Sequence, residues 1–210
     1  MSDELIRYCA YEHTVLEARD TKWAKREISW ATAGSLPGVQ DAAFAAAAEE
    51  AFAAWAKVTK LFFRAVKSGA DITLTTGRID GSGGTLAWSE LPNGGTNPLT
   101  QKYDMNEQWR TKDGQGIDLV AVICHELGHA LGLHHDSENS GALMSPFYSP
   151  RIRTPQVRDI SRIQSLYGLP DPTNTPTTPS GGSKIIIEIF NADRIAIPGY
   201  KVIPVSELEK

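Results

Sequence analysis

The chain has 210 residues, 25 acidic against 21 Lys and Arg, and a net charge of −4. That size suits one domain with a modest appendage, and that charge gives no footing for nucleic acid as a partner. No run reaches the roughly 20 apolar residues of a membrane span, two cysteines make no disulfide framework, and the opening MSDELIRYCAYEH lacks the apolar stretch of a secretory signal.

Residues 1–20 read as a short leader of mixed charge. Arg26–Ala33 reads as a strand, and Pro37-Gly38 as a turn. Residues 39–57 place Phe44, Ala48, Ala51, Phe52 and Trp55 on one helical face. Leu61–Val66 and Ile72–Thr76 are rich in aromatic and β-branched residues, as strands are. Residues 77–116 carry many glycines and turn signals, with two short strands expected at Thr85–Trp88 and Gln101–Tyr103. Residues 117–131 are apolar on nearly every side, so the pattern predicts a buried helix capped by Asp118. Thr154-Pro155 reads as the cap and first turn of a last helix that runs to Tyr167 and stops at Gly168. Asp171–Ser183 is a linker by composition. Residues 184–210 hold the apolar runs of a small β-hairpin, too short to bury a core. Such an appendage is expected to dock on the rest of the chain, on another copy or on a partner.

The chemistry concentrates in residues 125–135, HELGHALGLHH. His125 and His129 lie four apart, so a helix points both imidazoles to one face. Glu126 can reach a water at a metal held between them. Gly132 permits a left-handed exit that returns the chain and brings His135 to the same ion. His134 is an adjacent competitor, but the spacing from Gly132 favours His135 and leaves His134 exposed. Three neutral imidazoles with one open position describe a catalytic zinc site, whereas structural sites are closed by four protein ligands. The full pattern H-E-x-x-H-x-x-G-x-x-H requires a methionine turn downstream, and Ala142-Leu143-Met144-Ser145-Pro146 supplies one.

With these motifs the chain resembles the matrixins, the metzincin family of the matrix metalloproteinases. The likeness extends over about residues 18–170: Lys22-Trp23-Ala24-Lys25 with Ile28-Ser29-Trp30, Ala51 through Trp55, Ala70-Asp71-Ile72, the Met-turn with Pro146 and Tyr148, and Ile163 through Gly168. The resemblance implies an α+β catalytic domain over 21–170, with a twisted mixed sheet, a long first helix, an active-site helix and a C-terminal helix. It implies a zinc endopeptidase with Glu126 as general base, and with Met144 and Asp159 in structural roles. Protein or peptide substrates would lie extended between the strand at Leu86 and Ala87 and the loop at Pro146 and Tyr148. Small Ala121 and apolar Val122 favour cleavage before Leu, Ile, Met or Phe. The alternative is a shell of this family that binds without cutting, although Glu126 is intact.

The resemblance also implies calcium. Asp80, Gly81, Gly83 and Thr85 sit in a glycine-rich turn, with Asp104 and Glu107 downstream, and hard oxygen ligands suit that ion. It does not extend to the family's structural zinc, which takes three histidines and an aspartate. Trp88 stands where one histidine would be, Lys102 and Arg78 lie near the other places, and only His13 remains outside the active-site run. Arg158 replaces one of the paired acids that the family often has before the closing Ile160, the one that usually pairs with a newly cut N-terminus, and only Asp159 is present. Cys9 falls where the family's latency cysteine would fill the open zinc position, so 1–20 is a leader or a short pro-segment. Its flanks, Arg7-Tyr8-Cys9-Ala10, match poorly, and an ordinary cysteine in a short helix is the simpler account. Family habit points to an extracellular protein while the opening residues do not, so the compartment stays open.

Overall fold

A computed structural model describes residues 21–170 apart from 93, 95–97, 113 and 138–140. Cys9, the linker and the expected C-terminal hairpin lie outside the described residues. Among the described residues no helix is long and apolar enough to cross a membrane.

The main sheet has five strands in the order β2-β1-β3-β5-β4. These are β1 (Glu27–Ala33), β2 (Phe62–Ala65), β3 (Ile72–Gly77), β4 (Ala87–Ser89) and β5 (Leu99–Asp104). β1 pairs in parallel with β2 and β3, and β3 with β5, whereas β4 runs antiparallel to β5 at the sheet edge. Parallel neighbours require crossovers and are covered on both faces. Ile28, Ser29, Trp30 and Ala31 in the middle of β1 are accordingly buried without alternation.

Helix α1 (Asp41–Ala56) buries Phe44, Ala47, Ala48, Ala51, Phe52 and Trp55, the face expected from their spacing. Phe52 stacks on Trp30 of β1 with ring centroids 4.7 Å apart. Trp55 reaches across to α2 (Leu119–Ala130), where its indole N–H donates to the Cys124 carbonyl at 2.9 Å. All twelve residues of α2 are buried. Cys124 is a fully buried thiol whose pKa burial pushes far up, so it is an inert part of the core.

Several boundaries differ from the sequence pattern. Ile117–Asp118 is a strand, β7, paired in parallel with β6 (Trp109–Arg110), so α2 begins two residues later than expected. Asp118 does cap it, accepting from Ala121 N at 3.2 Å. β5 is twice the expected length because its partner β3 continues to Gly77, and glycine-rich flanks hid that extension. β4 starts at Ala87 rather than Thr85. The last helix, α3 (Val157–Tyr167), is capped by Gln156 in a reciprocal box with Asp159, not by Thr154. Gly168, at φ 81°, ends it as expected.

Candidate active site

The helix α2 carries His125 and His129 one turn apart, and both rings are buried. Each is held by its far nitrogen. His125 Nδ1 donates to the Leu143 carbonyl at 2.7 Å, and His129 Nδ1 to the Leu133 carbonyl at 2.7 Å. A proton on Nδ1 leaves Nε2 as the lone-pair nitrogen, the form in which an imidazole binds a metal. Burial also pushes both pKa values down, His125 to about 4 and His129 well below the usual histidine range, so both rings are neutral as ligands must be.

The chain leaves α2 at Leu131 and reverses at Gly132, φ 103°. A Cβ there would also stand 2.3 Å from the Thr21 carbonyl oxygen, so glycine is required twice over. The reversal brings His135 Nε2 to 3.3 Å from His125 Nε2 and 3.2 Å from His129 Nε2. Tetrahedral ligands at the usual zinc–nitrogen distance of about 2.0–2.1 Å are separated by about 3.3–3.4 Å. One proton on His135 Nε2 is a single donor shared between two acceptors, while a divalent cation at the centre answers all three lone pairs. Among the described residues these three histidines are the one group of His, Cys, Asp or Glu side chains with all ligand atoms within 4.8 Å of one another. His134 is half-buried rather than exposed, because α3 packs on its backbone: Arg162 Nη2 donates to its carbonyl at 2.9 Å.

Glu126 is fully buried and lines, with His125, a pocket whose other walls include Leu86, Ala121, Val122, Pro146, Phe147, Tyr148 and Ile152. Glu126 and His125, neighbours on α2, thus both belong to the pocket wall. Leu86, Pro146 and Tyr148 line this pocket, whereas Ala87 is buried inside β4 and is not part of the wall. Phe147 and Ile152 were not singled out from sequence, since an apolar residue in an irregular loop carries no periodic signal.

Met144 is fully buried against α2. A Cβ on Gly128 would lie 2.3 Å from its Sδ and 3.2 Å from Trp55, so this glycine between His125 and His129 makes room for the methionine. Asp159 of α3 fixes the turn: its carboxylate accepts from Leu143 N at 2.8 Å, Met144 N at 3.1 Å and Gln156 N at 2.8 Å. The other end of α2 is tied as well. Asp118 receives Arg153 Nε at 3.1 Å and Arg110 Nη2 at 3.3 Å, and its own N–H donates to the Tyr148 hydroxyl at 3.1 Å. The pocket wall and the active-site helix therefore share one polar anchor.

The glycine-rich loop gathers the other acids. Asp104 Oδ2 accepts from Asp80 N and Gly81 N at 3.3 and 3.2 Å, Glu107 Oε1 from Gly83 N at 2.5 Å, and the Asp80 carboxylate from Thr85 N at 3.0 Å. Asp104 and Glu107 are buried, and Glu107 Oε2 has no hydrogen-bond partner among the described residues. The three carboxylates do not converge as the histidines do, because Asp80 turns back onto its own loop.

The matrixin family model matches residues 22–168. The chain is 33% identical to macrophage metalloelastase of Rattus norvegicus, over 91% of this chain and 43% of that protein. It is 35% identical to matrix metalloproteinase-18 of Xenopus laevis, over 83% and 40%. It is 36% identical to matrix metalloproteinase-26 of Homo sapiens, over 70% and 60%. The chain therefore spans roughly half the length of these relatives. The match takes in every element from β1 to α3 and the whole histidine cluster, and with it the chain belongs to the matrixin family.

Proposed function

We propose that this chain is a zinc-dependent endopeptidase that cuts extended protein or peptide substrates and prefers a large apolar residue after the scissile bond. The observation that carries this is the set of three imidazole Nε2 atoms, 3.2–3.3 Å apart where paired, one of whose histidines, His125, lines an apolar pocket together with Glu126.

His125, His129 and His135 would hold the metal. Zinc bound there supplies Lewis-acid polarisation of a carbonyl and acidifies water to a pKa of about 7. Glu126 takes the proton of the attacking water and delivers it to the departing amine, the two duties of one general acid–base group. β4, at the sheet edge, presents its outer backbone groups to an extended substrate. The side chain after the scissile bond enters the pocket between Ala121, Val122, Pro146 and Tyr148. Digestion of casein, with and without chelator, tests the activity, and a peptide library tests the preference. Cleavage before Leu, Ile, Met or Phe is expected, and a preference for charged residues at that position contradicts the pocket assignment.

Calcium is the second metal in this account. The buried, unsatisfied Glu107 Oε2 and the buried Asp104 carboxylate support it; the carbonyls of Gly81, Gly83 and Thr85 would add hard oxygen donors, and Asp80, which accepts from Thr85 N, would have to turn out of its loop to join them. Selective removal of calcium at fixed zinc is expected to lower the melting temperature by roughly 5–10 °C, the effect of losing a ligand present at about 100 times its Kd. An unchanged melting temperature removes calcium from the account. No structural zinc is included: Trp88 and Lys102 face each other across the β4–β5 ladder, and neither is a zinc ligand.

A further inference from the structure

His125 and His129 ride a buried helix, whose hydrogen bonds fix their spacing. His135 comes from irregular backbone beyond that helix and is only half-buried. Its position must therefore be imposed by contacts from elsewhere, and α3 provides them. Arg158 and Arg162 lie four apart and so share one helical face. Arg162 Nη2 donates to the carbonyl of His134 at 2.9 Å, on one side of the ligand. Arg158 Nε pairs with Asp136 Oδ2, on the other side. Asp136 is buried, and its backbone N–H donates to the Met144 carbonyl at 2.8 Å, which joins the ligand segment to the methionine turn. The Asp136 side chain is 4% exposed and the Arg158 side chain 56%, so the pair joins a buried carboxylate to a guanidinium that still meets solvent. Arg162 Nη1 is buried without a hydrogen-bond partner among the described residues, so this side chain is held in place at a desolvation cost.

We propose that Arg158 and Arg162 are positioning residues, a two-arginine clamp through which α3 holds His135 on the metal and sets the zinc affinity. This rests on the zinc assignment above. The same helix fixes the methionine turn through Asp159, so α3 governs both segments that follow α2 at the site. Arg158 stands where the family often has an acid, and the clamp therefore belongs to this chain's own residues.

The test is zinc affinity, read at 25 °C on the full 210-residue chain by competition with a fluorescent zinc chelator, with folding checked by circular dichroism. Arg158→Ala and Arg162→Met, the latter keeping the apolar stem, are each expected to weaken zinc binding about 10–100-fold, as loss of groups that orient ligands does. Arg158→Lys should recover most of the loss. In an Asp136→Asn background Arg158→Ala should cost little more, since the pair acts as a unit. Variants that are folded yet bind zinc within twofold of the parent overturn the clamp alone, as do losses that simply add in the double variant. A folded parent that takes up no zinc overturns the proposed function and the clamp with it. A purely structural role would lower the melting temperature of the metal-free chain and leave zinc affinity unmoved, which also overturns the clamp.

Discussion

Glu126→Gln is expected to lower kcat by about 10²–10⁴ while zinc content stays at one ion per chain. Glutamine fills nearly the same volume, so the buried position in the pocket wall is not emptied and α2 keeps its packing. What disappears is a carboxylate able to accept a proton from water and return it to the amine. None of the three histidines is altered, and the Nδ1 contacts of His125 to Leu143 and of His129 to Leu133 do not pass through Glu126. Peptide hydrolysis followed beside zinc analysis separates the two effects. A variant that keeps parental turnover assigns the proton transfers to another group, and one that loses zinc along with activity gives Glu126 a structural task instead.

Asp159→Ala is expected to lower stability by about 3–5 kcal/mol, because three backbone N–H groups lose their acceptor at once. Leu143, Met144 and Gln156 all donate to this fully buried carboxylate. For a domain of this size the melting temperature should fall by roughly 10–15 °C. The damage should not stay local. Leu143 also accepts from His125 Nδ1, so a turn that loosens releases the orientation of that ring, and on the proposed metal assignment zinc affinity should fall as well. Thermal melts with and without zinc measure both. A drop of less than about 1 kcal/mol, the scale of a single ordinary hydrogen bond, contradicts the role given to Asp159.

Much of this site was legible because its signals are local. His125 and His129 follow from helical spacing, Gly132 from the need for a positive φ, and Met144 from the turn motif that accompanies the three histidines. The apolar faces of α1 and α2 are likewise written in a period of 3.6 residues, and the burial of Phe44, Phe52 and Trp55 matches that expectation. The parts that were not legible depend on partners distant in sequence. Nothing near Ile117 announces a strand, since β7 exists only because β6 lies beside it. Gly128 reads as an ordinary helical glycine until Met144 is placed against it. Arg158 read as a missing acid, and its pairing with Asp136 spans 22 residues. Tyr148 could be named from the loop motif, but its hydroxyl contact to the backbone of Asp118, 30 residues away, could not. The glycine-rich region of 77–116 was the least readable, because pairing with a neighbour, rather than any period of its own, makes β5 six residues long.

X-ray absorption at the zinc edge, on the purified full chain loaded with one equivalent, bears most directly on the histidine cluster. Three imidazole nitrogens and one further light donor at about 2.0–2.1 Å are expected, with one imidazole lost in His135→Ala. A spectrum showing sulfur in the shell, or fewer than three imidazoles in the parent, would contradict the account at its base.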